Sequence, residues 1–299
     1  MTAQEVTRML GGRWHGSYGC AACPVCQPER RRDQNALTLS DGDDGRLLAH
    51  CKKGGCAFRD FLAAAGIAAD GPASPDPALA AERERQRRAD QERRDAQARE
   101  VWEGTQPVAR TIAEAYLRSR GITAPLPPSL RYHPACWHAT GKRLPALIAL
   151  VEGQNGFGVH RTYLRADGGG KATVEPAKAM LGPVKGGAVR LTDAGPGAPL
   201  VVAEGIETAL SLASGMLSAP ATIWAALSAT GMQALRLPPE PCRLTVAIDA
   251  DPTGEAAGRA LATRAWHEGW SVYLLRPPRG TGGKDWNDVL RGRATEAAS

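Results

Sequence analysis

A chain of 299 residues, 43% of them hydrophobic, can bury a sizeable core, and its length suggests about two domains. No run approaches the roughly 20 apolar residues that span a bilayer, and Met1–Gly12 lacks the basic, apolar and small-residue regions of a secretory signal, so a cytoplasmic protein with no membrane partner is expected. The net charge of +6 is uneven: +2 over residues 1–66, −2 over 67–105, +8 over 106–190 and −2 over 191–299, so a basic middle directly precedes a mildly acidic C-terminal third. That arrangement suits a phosphodiester backbone or a nucleotide.

Five of the seven cysteines lie between Cys20 and Cys56, and such clustering in a reducing compartment argues for a metal rather than for disulfides. Cys23-Pro24-Val25-Cys26 precedes Cys51 by 24 residues, and four more separate Cys51 from Cys56. Two cysteine pairs on tight turns can bring four thiolates into the tetrahedron that Zn²⁺ accepts, leaving no open position, so the metal is expected to be structural. Between the pairs, Ala36–Leu39 and Arg46–His50 read as a hairpin turning at Asp41–Gly45, the support of a zinc ribbon. Cys20 and His50 stand by as spare ligands. Trp14, His15 and Tyr18, with Arg13 and Arg30 to Arg32, offer stacking faces and cations for single-stranded DNA, or else a miniature core. The module closes with a helix over Phe58–Ala65, capped by Gly66.

Asp70–Pro77 reads as a linker, and Ala81–Glu100, with seven Arg against six acids and no apolar stripe, as a solvated helical spacer. Next come a helix over Val108–Arg118, a proline-rich turn at Pro125–Pro128, and strands over Ala146–Val151 and Gly158–Leu164. His133, Cys136 and His138 lack a nearby fourth ligand and are read as ordinary packing. A Gly/Pro stretch over Asp193–Pro199 marks a second boundary. Beyond it strands and helices alternate: strand Leu200–Ala203, helix Ile206–Met216, strand Thr222–Leu227, a short helix near Met232, strand Arg243–Ile248, helix Gly254–His267 and strand Ser271–Leu275. Such alternation predicts right-handed crossovers about a parallel sheet. The expected organisation is a zinc-ribbon DNA-binding module (1–66), a charged helical linker (67–105), a basic α+β subdomain (106–192) and an α/β domain (193–299).

Three acidic clusters follow strand ends. Glu204 succeeds Leu200–Ala203, Asp249 and Asp251 succeed the strand ending at Ile248, and Asp285 and Asp288 lie beyond the last strand. Ligands of open parallel sheets bind at the carboxyl ends of strands. Asp249 and Asp251, two residues apart, would share one strand face and hold a hard cation through oxygen. A rim of this kind suits one or two Mg²⁺ ions serving in-line phosphoryl chemistry. Each acid alone reads equally well as a helix cap or turn residue; the threefold placement is what carries meaning.

Glu204-Gly205, then Asp249-x-Asp251 with Gly254, then Lys284-Asp285-x-x-Asp288 resembles the Toprim domain of bacterial-type primases, topoisomerases and certain nucleases, and the Cys-Pro-x-Cys…Cys module resembles the zinc-binding domain that precedes Toprim in primases. Glu204-Gly-Ile-Glu207-Thr-Ala-Leu-Ser, with His160–Leu164 upstream, is similar to the Toprim proteins of phages, plasmids and mobile elements. The resemblance implies a Rossmann-like α/β sheet. In it Glu204 is the general acid/base, and Asp249 and Asp251 hold the catalytic Mg²⁺ (or Mn²⁺) with Asp285 and Asp288 helping. Glu207 departs from the pattern: replicative primases carry an acid four residues after the first Glu, where this chain has Thr208. The basic middle would face Toprim across the cleft, with His160, Arg161, Lys178, Lys185 and Lys284 on the triphosphate or template. No G-x-x-x-x-G-K-[ST] motif occurs, so a replicative helicase would be a separate partner. The expected activity is template-directed RNA primer synthesis from NTPs on single-stranded DNA. The alternatives are a Toprim nuclease or nicking enzyme, and a non-catalytic zinc-dependent DNA-binding adaptor.

Overall fold

Strand-forming sequence gathers in three stretches, and each builds its own sheet. The computed structural model describes residues 1–31, 33–42, 45–67, 77–278 and 285–297. They divide into two units, Met1–Asp90 and Gln91–Ser299.

The first unit opens with α1 (Ala3–Met9), started by a capping box in which the Thr2 hydroxyl accepts from the Glu5 N–H and the Glu5 carboxylate accepts from the Thr2 N–H. Strands β1 (Arg13–Trp14), β2 (Gly19–Ala21), β3 (Leu37–Asp41) and β4 (Leu47–Cys51) form an antiparallel sheet in sequence order. The expected hairpin is β3–β4, with Asp41 in the strand rather than the turn. Helix α2 (Phe58–Ala65) ends at Gly66, whose φ of +67° is a left-handed conformation that glycine adopts without strain. Val6, Leu37, Leu39 and Phe61 make the small core, together with Cys23 and Cys51. The linker expected over Asp70–Pro77 lies, apart from Pro77, outside the described residues. Helix α3 (Pro77–Glu103) contains the boundary between the units, and its charged face carries i,i+4 and i,i+3 pairs such as Asp95–Arg99 and Glu84–Arg87.

In the second unit, β5 (Gln106–Pro107) and α4 (Ile112–Ser119) precede β6 (Leu130–Trp137), β7 (Arg143–Val151), β8 (Gly158–Tyr163) and β9 (Lys178–Leu181). The helix expected from Val108 begins only at Ile112, because Arg110 turns the chain at φ +60° while its N–H donates to Glu114. Strands β5 to β9 form an antiparallel sheet in sequence order. Strand β6 accommodates Pro134 where the register shifts between His133 and Cys136, the kind of irregularity in which a proline inside a sheet is tolerated. Cys136 and His138 are buried, His138 between Thr140 and the Pro176 carbonyl, and neither belongs to a metal-binding group among the described residues.

The remaining strands are β10 (Val189–Thr192), β11 (Leu200–Ala203), β12 (Thr222–Ala225), β13 (Arg243–Ala247) and β14 (Ser271–Leu275), ordered β10-β12-β11-β13-β14. All neighbours are parallel except β10, which runs antiparallel to β12 at the edge. The helices are α5 (Ile206–Ser211), α6 (Ala229–Ala234), α7 (Pro252–His267) and α8 (Trp286–Ala297). The helix expected to reach Met216 gives way to a π turn over Leu212–Met216, where Ser214 and Gly215 leave helical geometry. The Ser214 hydroxyl there accepts from the Thr123 and Ala124 N–H groups, tying this turn to the segment after α4. Helix α7 lies so close to β13 that a Cβ on Gly258 would come within 2.7 Å of Ile248, so only glycine fits. One apolar layer joins the inner face of the antiparallel sheet (Leu130, Tyr132, Leu147, Val151) to β11, β12 and α5. A second fills the opposite face of the parallel sheet, under α6 and α7.

Candidate active site and metal centre

The cysteine centre is built from two turns. Cys23 and Cys26 follow β2; the buried Gln27 side chain accepts from the Cys23 and Ala36 N–H groups and so staples this turn to β3. Cys51 ends β4, and the Lys52–Gly55 turn returns the chain so that Cys56 rejoins it. Gly54 keeps this turn close, since a Cβ would stand 3.1 Å from the Cys56 sulfur and 3.3 Å from the Cys26 Cβ, tighter than ordinary contact. The four sulfurs lie within 4.8 Å of one another, and Cys26 and Cys51 are 3.5 Å apart. Burial pushes the Cys51 thiol up, but the N–H groups of Gly54, Cys56 and Lys53 outweigh it and bring it down to about 6. Cys26 and Cys56 are instead raised, by burial first and then by the neighbouring thiols. A tetrahedral thiophilic ion fits four cysteine sulfurs so gathered. Cys20 and exposed His50, the spare ligands, stand outside the group. Trp14 packs against the small core, whereas His15 and Tyr18 are exposed and stack on each other at 5.0 Å. Arg30 and Arg31 are exposed, Arg31 paired with Glu29; Arg32 lies outside the described residues.

The carboxylates occupy the other centre. Strand β11 is central, with β12 on one side and β13 on the other, so the crossovers leaving the neighbours β11 (to β12) and β13 (to β14) run in opposite directions. Beyond the carboxyl ends of strands at such a switch point, an open α/β sheet forms its crevice. Glu204 directly follows β11, and its carbonyl accepts from the N–H of Leu227, which sits just after β12 at φ +73°. A residue with a Cβ in that conformation is strained backbone of the kind that gathers at functional sites. Asp249 and Asp251 follow β13.

These acids feel one another. Asp249 is pushed up to about 7 by burial first, then by Glu204, Asp285 and Asp251. Its Oδ1 is buried without a hydrogen-bond partner. Glu204 is raised by burial and by Asp251. Lys178 counteracts both shifts. The sharing of a strand face expected for Asp249 and Asp251 does not occur: the chain leaves β13 at Ala247, and Asp251 Oδ1 caps α7 by accepting from Thr253 and Gly254 at 2.8 and 2.9 Å. Asp285 plays a similar local part, its Oδ1 accepting from the Asp288 N–H at 2.8 Å. The rim acids do not form a close group like that of the cysteines among the described residues. The Asp249 Oδ1, buried, without a donor and repelled by neighbouring carboxylates, nonetheless suits a hard divalent cation.

Opposite the rim lies the inner face of the antiparallel sheet. Register places Thr162 against Lys178 and His160 against Met180, and these residues share the face of Leu147 and Ala149. Arg161 alternates to the other face, where its guanidinium donates to the Trp137 and Met180 carbonyls and lies over Tyr163. It is not brought to the rim. His160 is buried, and burial with neighbouring Lys178 lowers it to about 4, so it is neutral. Lys185 is exposed in the loop between β9 and β10, and Lys284 lies outside the described residues. Sequence reasoning missed Lys171 and Tyr116. Both meet Glu207: the Tyr116 hydroxyl donates to its Oε1 at 2.7 Å, Lys171 pairs with Oε1 at 3.1 Å, and Lys178 with Oε2 at 3.2 Å. The glycine run before Lys171 was the available signal; nothing in the sequence singled out Tyr116.

Comparison with known proteins divides the second unit in two. Residues 92–191 match a domain of unknown function, DUF7146, and residues 199–296 match the Toprim domain family. No curated protein matches the chain. Among solved structures, it is similar to a DNA primase domain from Pseudomonas aeruginosa (20% identity, 63% of this chain and 71% of that one, TM-score 0.39). It is also similar to the zinc-binding and RNA polymerase domains of Aquifex aeolicus primase (14%, 99% and 80%, TM-score 0.37) and to the primase fragment of the bacteriophage T7 primase-helicase protein (14%, 93% and 97%, TM-score 0.36). No helix among the described residues is long and apolar enough to cross a membrane. With Glu204 and Asp249 following the neighbouring strands β11 and β13 at the switch point and the family match covering that whole segment, residues 199–296 are a Toprim domain.

Proposed function

We propose that the chain is a primase-like nucleotidyltransferase that joins ribonucleotides on a single-stranded DNA template. The observation carrying this reading is Asp249: a buried carboxylate oxygen without a donor, beside Glu204, Asp251 and Asp285, at the switch point of a Toprim sheet. Glu204, Asp249 and Asp251 would hold Mg²⁺, with Asp285 and Asp288 beside them. When bound, the ion supplies charge neutralisation and polarisation at the reacting phosphate. Glu204, raised by burial and by Asp251, is suited to take the proton of an attacking 3′-hydroxyl. Lys178, half-exposed and opposed to the rim, offers its ammonium to the triphosphate, and neutral His160 lines the same face. The four-cysteine module, structural by its closed ligand set, presents exposed His15 and Tyr18 for stacking on template bases. A cytoplasmic setting and a separate replicative helicase complete the reading.

The test is primer synthesis on single-stranded DNA with labelled NTPs and Mg²⁺, comparing the native protein with Asp249→Ala. Short RNA products from the native protein, reduced at least about 100-fold in the variant, are expected. Mg²⁺-dependent cleavage of the template without synthesis would replace the proposal with a Toprim nuclease. DNA binding with neither activity would replace it with an adaptor.

A further inference from the structure

Resting on that reading, we propose that Glu207 is a positioning residue of the same site, which holds Lys178 off the carboxylate rim, with Lys171 sharing its charge, so that the rim stays open to a divalent cation and Lys178 stays available to phosphate. Glu207 lies three residues beyond Glu204, in the first turn of α5, where the helix dipole favours a carboxylate. It is buried, and its carboxylate is engaged from three other parts of the chain: Tyr116 from α4, Lys178 from β9, and Lys171 from the loop before it. Burial pushes its carboxyl up, but Lys178, Lys171 and Tyr116 outweigh this and hold it far below the usual carboxylate range. The carboxylate is therefore a fixed negative charge shared by two ammonium groups.

The surroundings say what that charge is for. A buried ion pair is a poor device for stability alone, since apolar residues of similar size do as well or better. Here one of the two lysines keeps 37% of its side chain exposed, and its field reaches Glu204 and Asp249. Without Glu207, Lys178, whose charge already bears on Glu204 and Asp249, would lose the carboxylate that now holds it. It would close onto Glu204 and Asp249 and occupy the place of a metal ion. With Glu207 present, its oxygens divide the lysines: Oε1 takes Lys171 and Oε2 takes Lys178.

The experiment uses the zinc-loaded full chain and titrates Mn²⁺ as the probe of the rim by calorimetry, with thermal melting recorded in parallel. Glu207→Gln keeps the shape and removes the charge; its Mn²⁺ affinity is expected to fall about tenfold, a size that a like-charged neighbour a few ångströms away readily produces at a half-buried site. Glu207→Asp keeps the charge and should bind Mn²⁺ nearly as the native protein does, even if it melts earlier. Glu207→Gln combined with Lys178→Met should recover the affinity. An unchanged affinity in Glu207→Gln, or affinities that follow melting temperature rather than charge, would overturn the proposal and leave the proposed function standing. Failure of the native protein to bind Mn²⁺ at the rim would remove both. If Glu207→Gln does not fold, Lys178→Met alone decides: unchanged or tighter Mn²⁺ binding supports the proposal, and weaker binding overturns it.

Discussion

A carboxylate buried beside other carboxylates holds its proton more firmly than one in water, and Asp249 is in that position. In Mg²⁺-free buffer the folded chain keeps the Asp249 proton up to about pH 7, whereas the unfolded chain releases it near 3.8. The folded state binds the extra proton throughout that window, so this residue lowers stability as pH rises through it. Asp249→Asn removes the slope. Urea titrations are expected to find the variant more stable than the native chain by a few kcal/mol at about pH 8, and equal to it near pH 4. Glu204 and Asp249 were legible in the sequence because each closely follows an apolar strand, whereas Asp285 and Asp288 stand at the start of α8. Among the basic candidates, Lys178 and His160 share the inner face of the antiparallel sheet, whereas Arg161, adjacent to His160 in sequence, is sent to the opposite face by the two-residue period of a strand. Which face looks toward the rim depends on register, and register is set by packing partners distant in the chain.

At the scale of elements, Asp251 shows how one side chain serves both the fold and the rim. Its Oδ1 starts α7 by capping two backbone N–H groups, with Pro252 at the first helical position. Asp251→Ala is expected to cost about 1 kcal/mol of stability by chemical denaturation, whereas Asp251→Asn, which retains a capping oxygen, should cost only a few tenths. If the charge also serves the rim, both variants lose Mg²⁺ affinity, so calorimetric titration separates the roles. The parallel strands and α7 could be read because their apolar runs are bounded by Gly, Pro and Asp. Strand β6 could not, since Pro134 breaks the pattern and only the shift in register accommodates it. The end of α5 was misjudged for a related reason. Helical sequence continues through Leu212 and Ala213, but the Ser214 hydroxyl serves the segment after α4 and Gly215 takes φ +95°.

For the molecule as a whole, the two units draw their stability from different sources. The first depends on a core of few large side chains, among which two of the four clustered cysteines are counted. A module of that size buries too little apolar surface to be secure without a metal or a cross-link. Calorimetry is therefore expected to resolve two transitions. A strong zinc chelator should abolish the one belonging to the first unit and leave the other within about 2 °C, because the second unit contains no such cysteine group among its described residues. A single transition lost as one on chelation would contradict this.

Strand β10 lies before the Gly/Pro stretch at 193–199 and before the Toprim match at 199, yet it pairs with β12 and adds Val189 and Leu191 to the shared apolar layer. The seam in the sequence is thus offset from the seam in the sheet. A recombination event or a proteolytic nick at residues 193–199 would leave the Toprim segment with a bare, unpaired strand edge and uncovered leucine- and valine-sized hollows, the combination that invites self-association. Stable folding of the two halves of this unit is therefore expected to require both, because the edge strand of one completes the sheet of the other.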